Sequence, residues 1–249
     1  MAKKNEKRFF RRALRILWKT FLVLFIAQLI YIILLKWVYP PITVTQLVSW
    51  VSGHGLKRDY VRNSSISYQA KLAVISSEDQ LFPDHSGFDW KNIRKAMNYN
   101  EKKPGRLRGA STISQQVAKN VFLWQGKSFI RKGMEAYFTF MIELVWGKRR
   151  ILEVYLNVIE MGDGIFGIEM ASKIYFNKSA KDLTRQQAAL IAACLPSPKR
   201  IKLKPPSLYA LKRSSWVMQQ MSFLEPDPDI QNVIDRKKPE KKSKTKAPK

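Results

Sequence analysis

An acidic pair, Glu78-Asp79, stands where a helical stretch gives way to the loop Gln80-Leu-Phe-Pro-Asp-His-Ser-Gly87. The chain carries 45 Lys plus Arg against 19 Asp plus Glu. A carboxylate held at a loop among so many cations is a candidate for proton abstraction on an anionic substrate. Two further clusters could serve the same chemistry. Ser111, Thr112, Gln115 and Gln116 offer hydroxyls and amides, and Arg131, Lys132 and Glu135 set two cations and an acid on adjacent turns of a helix. Each has an ordinary reading when taken alone: polar residues at a helix end, a helix-start motif, and a surface ion pair worth tenths of a kcal/mol.

Composition narrows what these groups can act on. At 249 residues and 45% hydrophobic content the chain can form one sizeable domain with appendages. Its charge of +26 is concentrated at the two ends, yet the middle still holds 28 basic and 17 acidic groups. That residual excess asks for an anionic partner of the folded domain, phosphates or an anionic membrane. Cys194 lies in the apolar run Ala188 to Leu195 and reads as a buried, inert thiol. His54 and His85 are too few and too far apart for a zinc signature.

Residues 20–35 are uncharged, with Trp18, Trp37 and Tyr39 as interfacial aromatics and Lys19 and Lys36 able to snorkel. Residues 16–39 therefore read as a transmembrane helix ended by Pro40-Pro41. A cleaved signal peptide would need a small-residue site after the apolar run, and Trp-Val-Tyr-Pro-Pro follows instead. Eight Lys/Arg precede the uncharged run 20–35, so residues 1–15 form a basic cytoplasmic N-terminus and the rest lies outside. Anionic membrane lipids are then the expected surface, and nucleic acid is not an expected partner.

The outer part reads as mostly α, because apolar residues recur at three and four and strand-like alternation is hard to find. A linker is expected over 40–65, a domain over 66–225 and a basic, unfolded tail over 226–249. Helices are expected over Ser67 to Glu78, from Asp89 to about Tyr99, after the capping box Thr112-x-x-Gln115, and from Ser128 to Trp146. Others follow from about Arg149 to Glu160, up to Asn177, and from Thr184-x-x-Gln187 to the stop at Pro196 and Pro198. Asn100 to Arg108, with Pro104-Gly105, reads as a loop.

The order of the motifs carries more than any one of them. Glu78-Asp-x-x-Phe82-x-x-His85-x-Gly87 is followed by Gly109-x-Ser-Thr-Ile-x-Gln-Gln116, then Arg131-Lys-x-x-Glu135, then Lys148-x-x-Ile-Leu-Glu-x-Tyr-Leu-Asn157. Gly164-x-x-Gly167, Ala171, Tyr175-Phe176-x-Lys178, Leu183 and Ala188-Ala189 continue the series. Over roughly residues 66–200 this resembles the peptidoglycan glycosyltransferase family, which polymerises lipid II. Two positions depart from the pattern: Ala110, where many members have Gly or Ser, and Asn177, where Gly is frequent.

The resemblance implies a lysozyme-like helical globular lobe with a small membrane-facing jaw, preceded by the transmembrane helix. It implies Glu78 as the base that takes the proton from the acceptor's 4-hydroxyl, and Glu135 as the second essential acid on the donor side. Lys119 and Lys127 match positions that contact the donor phosphates, with Arg131 and Lys132 as further cations for the leaving pyrophosphate. Ser111, Thr112, Gln115, Gln116, Asp79 and His85 are carried over as substrate-side residues. Mg2+ or Mn2+ would be compatible, with Asp79 the nearest spare carboxylate, but no ligand cluster is readable.

Lipid II and the lipid-linked nascent glycan are the implied partners, other cell-wall synthesis proteins are candidates, and a Gram-negative inner membrane fits a stand-alone anchored form. The length argues for a monofunctional enzyme, since the tempting Ser243-Lys-Thr-Lys246 lies in the basic tail. A glycan-cleaving enzyme of lysozyme or lytic type remains open on the acids alone, though a neutral polymer would not need the cations. A membrane-tethered, non-catalytic wall-binding scaffold is the third alternative.

Overall fold

The computed structural model describes residues 2–103, 105, 109–126 and 128–234. Lys127 and residues 235–249 of the basic tail lie outside the described residues, as do Pro104 and positions 106–108 of the expected loop. The chain is mostly α, as expected. In order it forms α1 (Ala2–Leu34), α2 (Val44–Val51), β1 (Lys57–Arg58), α3 (Tyr68–Glu78), α4 (Trp90–Lys102), α5 (Ile113–Phe122) and α6 (Phe129–Val145). There follow α7 (Lys148–Val158), β2 (Glu160–Gly162), β3 (Ile165–Phe166), α8 (Ile168–Phe176), α9 (Arg185–Cys194), α10 (Leu208–Leu224) and α11 (Pro228–Ile234).

The helix starts are written in side chains. Ser67 accepts a hydrogen bond from the Ala70 N–H at the head of α3, and both expected capping boxes form, Thr112 with Gln115 and Thr184 with Gln187. A third box, Thr43 with Gln46, starts α2, which periodicity did not reveal. α3 is buried from Ala70 to Ser76 and α9 from Ala188 to Cys194, so both are core helices covered on all sides. They pack on each other and on α10, while α5 packs on α6 and α7 to complete the lobe.

Four differences from the sequence reading have simple causes. The small sheet, ordered β1-β3-β2, has strands of two or three residues, too short for alternation to register. Glu160 belongs to that sheet rather than to α7, which ends at Val158. α10 was not anticipated, although Ala210, Ser214, Val217 and Met221 form its buried stripe, because two of the four are small and weakly apolar. α11 falls in the stretch assigned to the tail, and burial of Ile230, Val233 and Ile234 carries the folded chain to residue 234.

α1 contains the apolar stretch Phe10–Leu34, 25 residues long. At 1.5 Å per residue that is about 37 Å, enough for a hydrocarbon core of about 30 Å. Its last turn is fastened to the lobe. Ile32 and Leu35 are buried, the Trp146 indole N–H donates to the Ile32 carbonyl at 2.8 Å, and Arg150 donates to the carbonyls of Leu35 and Val38. Tyr39, expected as an interfacial aromatic, is instead a packing residue whose hydroxyl engages Glu153 and the Val61 carbonyl. The helix accordingly ends at Leu34, short of Tyr39. On α6, the Tyr137 hydroxyl donates to Gln28 of the anchor at 3.0 Å, and Ile130, Phe140 and Leu144 are exposed. Because α6 packs beside α1, these side chains form an exposed apolar patch next to the apolar helix.

Candidate active site

Glu78 is the last residue of α3, and its position follows from that helix being the buried core of the lobe. Its carboxylate accepts from the Gln116 amide at 2.9 Å and from the Ser77 hydroxyl at 3.3 Å. Burial pushes its pKa above the ordinary carboxylate range, with the Asp79 charge adding to this; the two hydrogen bonds and the Arg213 guanidinium act in the opposite direction. The result is a desolvated carboxylate whose proton affinity suits a general base.

The Gln116 amide is itself held. Its carbonyl accepts from the Tyr155 hydroxyl at 3.3 Å, which leaves the NH2 facing Glu78.

Asp79 has a different job from the one its position in the sequence suggested. Both its oxygens face Nε2 of His85, at 3.0 and 3.1 Å, and Oδ2 accepts from the Ile113 N–H at the start of α5. The Gly87 N–H donates to Nδ1 of His85, so the ring proton sits on Nε2 against the carboxylate. Asp79 is therefore not a spare metal ligand. Among the described residues no group of three or more His, Cys, Asp or Glu could hold a metal ion. Asp79 and His85 tie the end of α3 to the head of α5, and so fix Glu78 against Gln116.

Gly87 completes this tie. Its carbonyl accepts from the Thr112 hydroxyl at 2.7 Å. Its φ is +88°, and a Cβ there would come within 2.7 Å of Thr139 Cγ2 and 3.0 Å of Glu143 Cγ. Gly87→Ala is expected to cost about 1–3 kcal/mol through left-handed strain plus overpacking. Thermal unfolding of the purified chain checks this, with a fall in midpoint of a few degrees expected.

Two cavities meet at Glu78's side of α5. One, of about 700 Å³, is lined by Glu78, Ser111, Thr112, Lys95 and Arg213. The other, of about 480 Å³, extends past Asn120 and Tyr155 to Glu160 and Lys199. Gln116, Lys119, Leu195 and Pro196 line both, so the two form one cleft with a shared waist. Lys119, one turn beyond Gln116 on α5, is the cation at that waist. Burial lowers its pKa, Glu135 partly restores it, and Arg131 and Lys132 lower it further.

Glu135 is buried on α6 and takes Arg131 at 2.8 Å on one oxygen and Lys132 on the other. It lines neither cavity but sits electrostatically beside Lys119, as a counter-charge to a cluster of cations.

The structure thus brings Glu78, Asp79, Ser111, Thr112, Gln116 and Lys119 to one cleft, with Arg131, Lys132 and Glu135 next to its waist. His85 lines neither cavity and acts through Asp79, and Gln115 does not reach the cleft either. Gln115 is buried and its carbonyl accepts from the Thr112 N–H, so it builds the helix start. Arg213 was missed by sequence reasoning because α10 was missed. Its guanidinium stacks at 4.0 Å on Trp216 and reaches the Ser77 carbonyl at 3.4 Å beside Glu78. An Arg three residues before a Trp on a helix was the available signal, and it is a weak one.

A helical lobe with a buried carboxylate and several cations along one cleft, preceded by a helix of membrane-spanning length, holds the groups for acid–base chemistry on an anionic substrate. Comparison with known proteins places it further. Residues 45–222 match the transglycosylase family model. The biosynthetic peptidoglycan transglycosylase of Escherichia coli is 51% identical over 189 residues, covering 75% of this chain and 78% of that protein. That of Mannheimia succiniciproducens is 56% identical over 166 residues, 67% and 68% of the two chains. The chain belongs to the transglycosylase family and is a glycosyltransferase. Of its two departures from the motif pattern, Asn177 has a physical account: it caps α8 at φ 54°, the left-handed conformation that Asn tolerates best after Gly.

Proposed function

We propose that this chain polymerises lipid II into β-1,4-linked glycan strands at the outer face of the plasma membrane. The observation that carries the reading is the cleft itself: a desolvated carboxylate held by Gln116, with Lys119 at the waist and Lys95 and Arg213 on the walls. The relatives' names supply the polymer.

The reaction is a single inverting displacement. The acceptor's 4-hydroxyl oxygen bonds to the anomeric carbon of the donor, the bond from that carbon to the lipid pyrophosphate breaks, and the hydroxyl proton goes to Glu78. Negative charge grows on the departing pyrophosphate, where Lys119 is positioned to stabilise it, with Arg131 and Lys132 behind. Ser111 and Gln116 offer groups to sugar or phosphate oxygens. Glu135 keeps the cation cluster charged and oriented. The fastening of the anchor to α6 and α7 holds the cleft close to the membrane that delivers both substrates, and the basic N-terminus places that face outside.

The purified chain in detergent, given labelled lipid II, is expected to yield long glycan strands and free lipid pyrophosphate. Release of fragments from finished peptidoglycan, with lipid II untouched, would overturn the proposal in favour of glycan cleavage.

A further inference from the structure

Tyr155, on α7, is fully buried, and its hydroxyl donates to the Gln116 side-chain carbonyl at 3.3 Å. Gln116 then presents its NH2 to Glu78. An amide can turn over, and its two orientations suit different protonation states of the acid it faces. The NH2 stabilises an ionised carboxylate, whereas the carbonyl would accept from a protonated one.

We propose that Tyr155 is a positioning residue for the reaction: by donating to the Gln116 carbonyl it locks the amide in the orientation that favours ionised Glu78. The inference rests on the reading of Glu78 as the base. In the turned-over state the Gln116 carbonyl faces Glu78 and can accept a hydrogen bond from it only when Glu78 is protonated, while the Tyr155 hydroxyl must turn from donor to acceptor, the weaker of a phenol's two roles. Tyr155 therefore penalises the combination of protonated Glu78 and reversed amide, and widens the pH range over which the base is available. The groups that bear on Glu78 from neighbouring elements are Asp79 at the end of α3, Arg213 on α10, Cys194 on α9 and Tyr155 on α7, with Ser77 and Gln116 bonded directly. Gln116 is the member of this set that Tyr155 bonds, and it exchanges a donor for an acceptor by turning its amide; the Ser77 hydroxyl can exchange roles too, by swinging its proton to the Ala192 carbonyl at 3.2 Å. The Gln116 main chain is also held, since its carbonyl accepts from the Asn120 amide at 2.7 Å.

Tyr155→Phe keeps the buried ring and removes only the hydroxyl. The expected result is an acid limb of the kcat/KM profile displaced toward neutral pH, with kcat at neutral pH reduced a few-fold and KM little changed. In a Gln116→Ala background the same Tyr155→Phe change is expected to leave the limb where Gln116→Ala alone puts it, because the effect passes through the amide. A limb unmoved by Tyr155→Phe in an otherwise native chain would overturn the proposal, as would an equal displacement in both backgrounds. Thermal unfolding of each variant separates these outcomes from loss of fold. Failure of the underlying reading is distinct: it would appear as a Glu78→Gln enzyme that still polymerises.

Discussion

Glu78→Gln is expected to lower the rate of strand formation from lipid II by about 10²–10⁴, the range for loss of a positioned general base. The variant should at the same time be at least as stable as the native chain. Gln retains an oxygen to accept from the Gln116 NH2, so the hydrogen bond at 2.9 Å can persist. What disappears is a buried charge. Because burial raises the Glu78 pKa in the fold, its contribution to stability is fully present below the unfolded-state pKa and is lost as pH rises through the folded one. At neutral pH the native chain bears that cost and the Gln variant does not. The unfolding midpoint should rise in the variant, by ~2–4 °C for each kcal/mol recovered, and the gain should fade as pH falls toward the ordinary carboxylate range. Activity and stability moving in opposite directions is the signature of a site held against its own folding preference. Strand synthesis at the native rate by Glu78→Gln would remove Glu78 as the base. A fall in the midpoint would remove the account of its environment.

Residue types alone do not separate Glu78 from an ordinary acid at a helix end. An acidic pair at a helix end is commonplace, and what separates Glu78 from Asp79 is three-dimensional. Asp79 is taken up by hydrogen bonds to His85 and the head of α5, whereas Glu78 meets an amide, a hydroxyl and a cleft. The motif blocks identified both residues but could not divide their roles. Capping boxes were legible because they are local, four residues long and chemically explicit. Gln115 was legible as a cap for that reason, and its carry-over to substrate was wrong because adjacent residues on a helix point about 100° apart. α2, α10 and the three short strands were not legible. Their evidence is tertiary: α10 is a helix because α9 and α3 bury one side of it, and its Arg213 reaches the Ser77 carbonyl beside Glu78 only by that packing. The anchor was visible as an apolar run, but not its fastening, which uses backbone carbonyls that no residue type advertises.

Lys119 carries the second large effect, and it should be visible at the other end of the pH scale. Lys119→Ala is expected to lower the rate by about 10²–10³, the range for removing one preorganised group at a position where transition-state charge develops. The loss should fall on kcat more than on KM, since the pyrophosphate gains charge as it leaves. Burial lowers the Lys119 pKa below the ordinary lysine range, and the neighbouring Arg131 and Lys132 push the same way. As pH rises through that lowered value the waist of the cleft loses its cation, so the native enzyme should show a basic limb below the range of a free lysine. Together with the acid limb set by Glu78, this gives a bell whose two sides belong to residues on α3 and α5. Lys119→Arg discriminates between a need for charge and a need for shape, because guanidinium stays protonated across the whole range. If charge is the requirement, Arg restores part of the rate lost in the Ala variant and the basic limb disappears. A basic limb that persists unchanged in Lys119→Arg would assign it to another group and detach Lys119 from the leaving pyrophosphate. Glu135 acts on this limb without lining either cavity, since its charge raises the Lys119 pKa. Replacing it with Gln should move the basic limb to lower pH, and that displacement should vanish once position 119 is Arg.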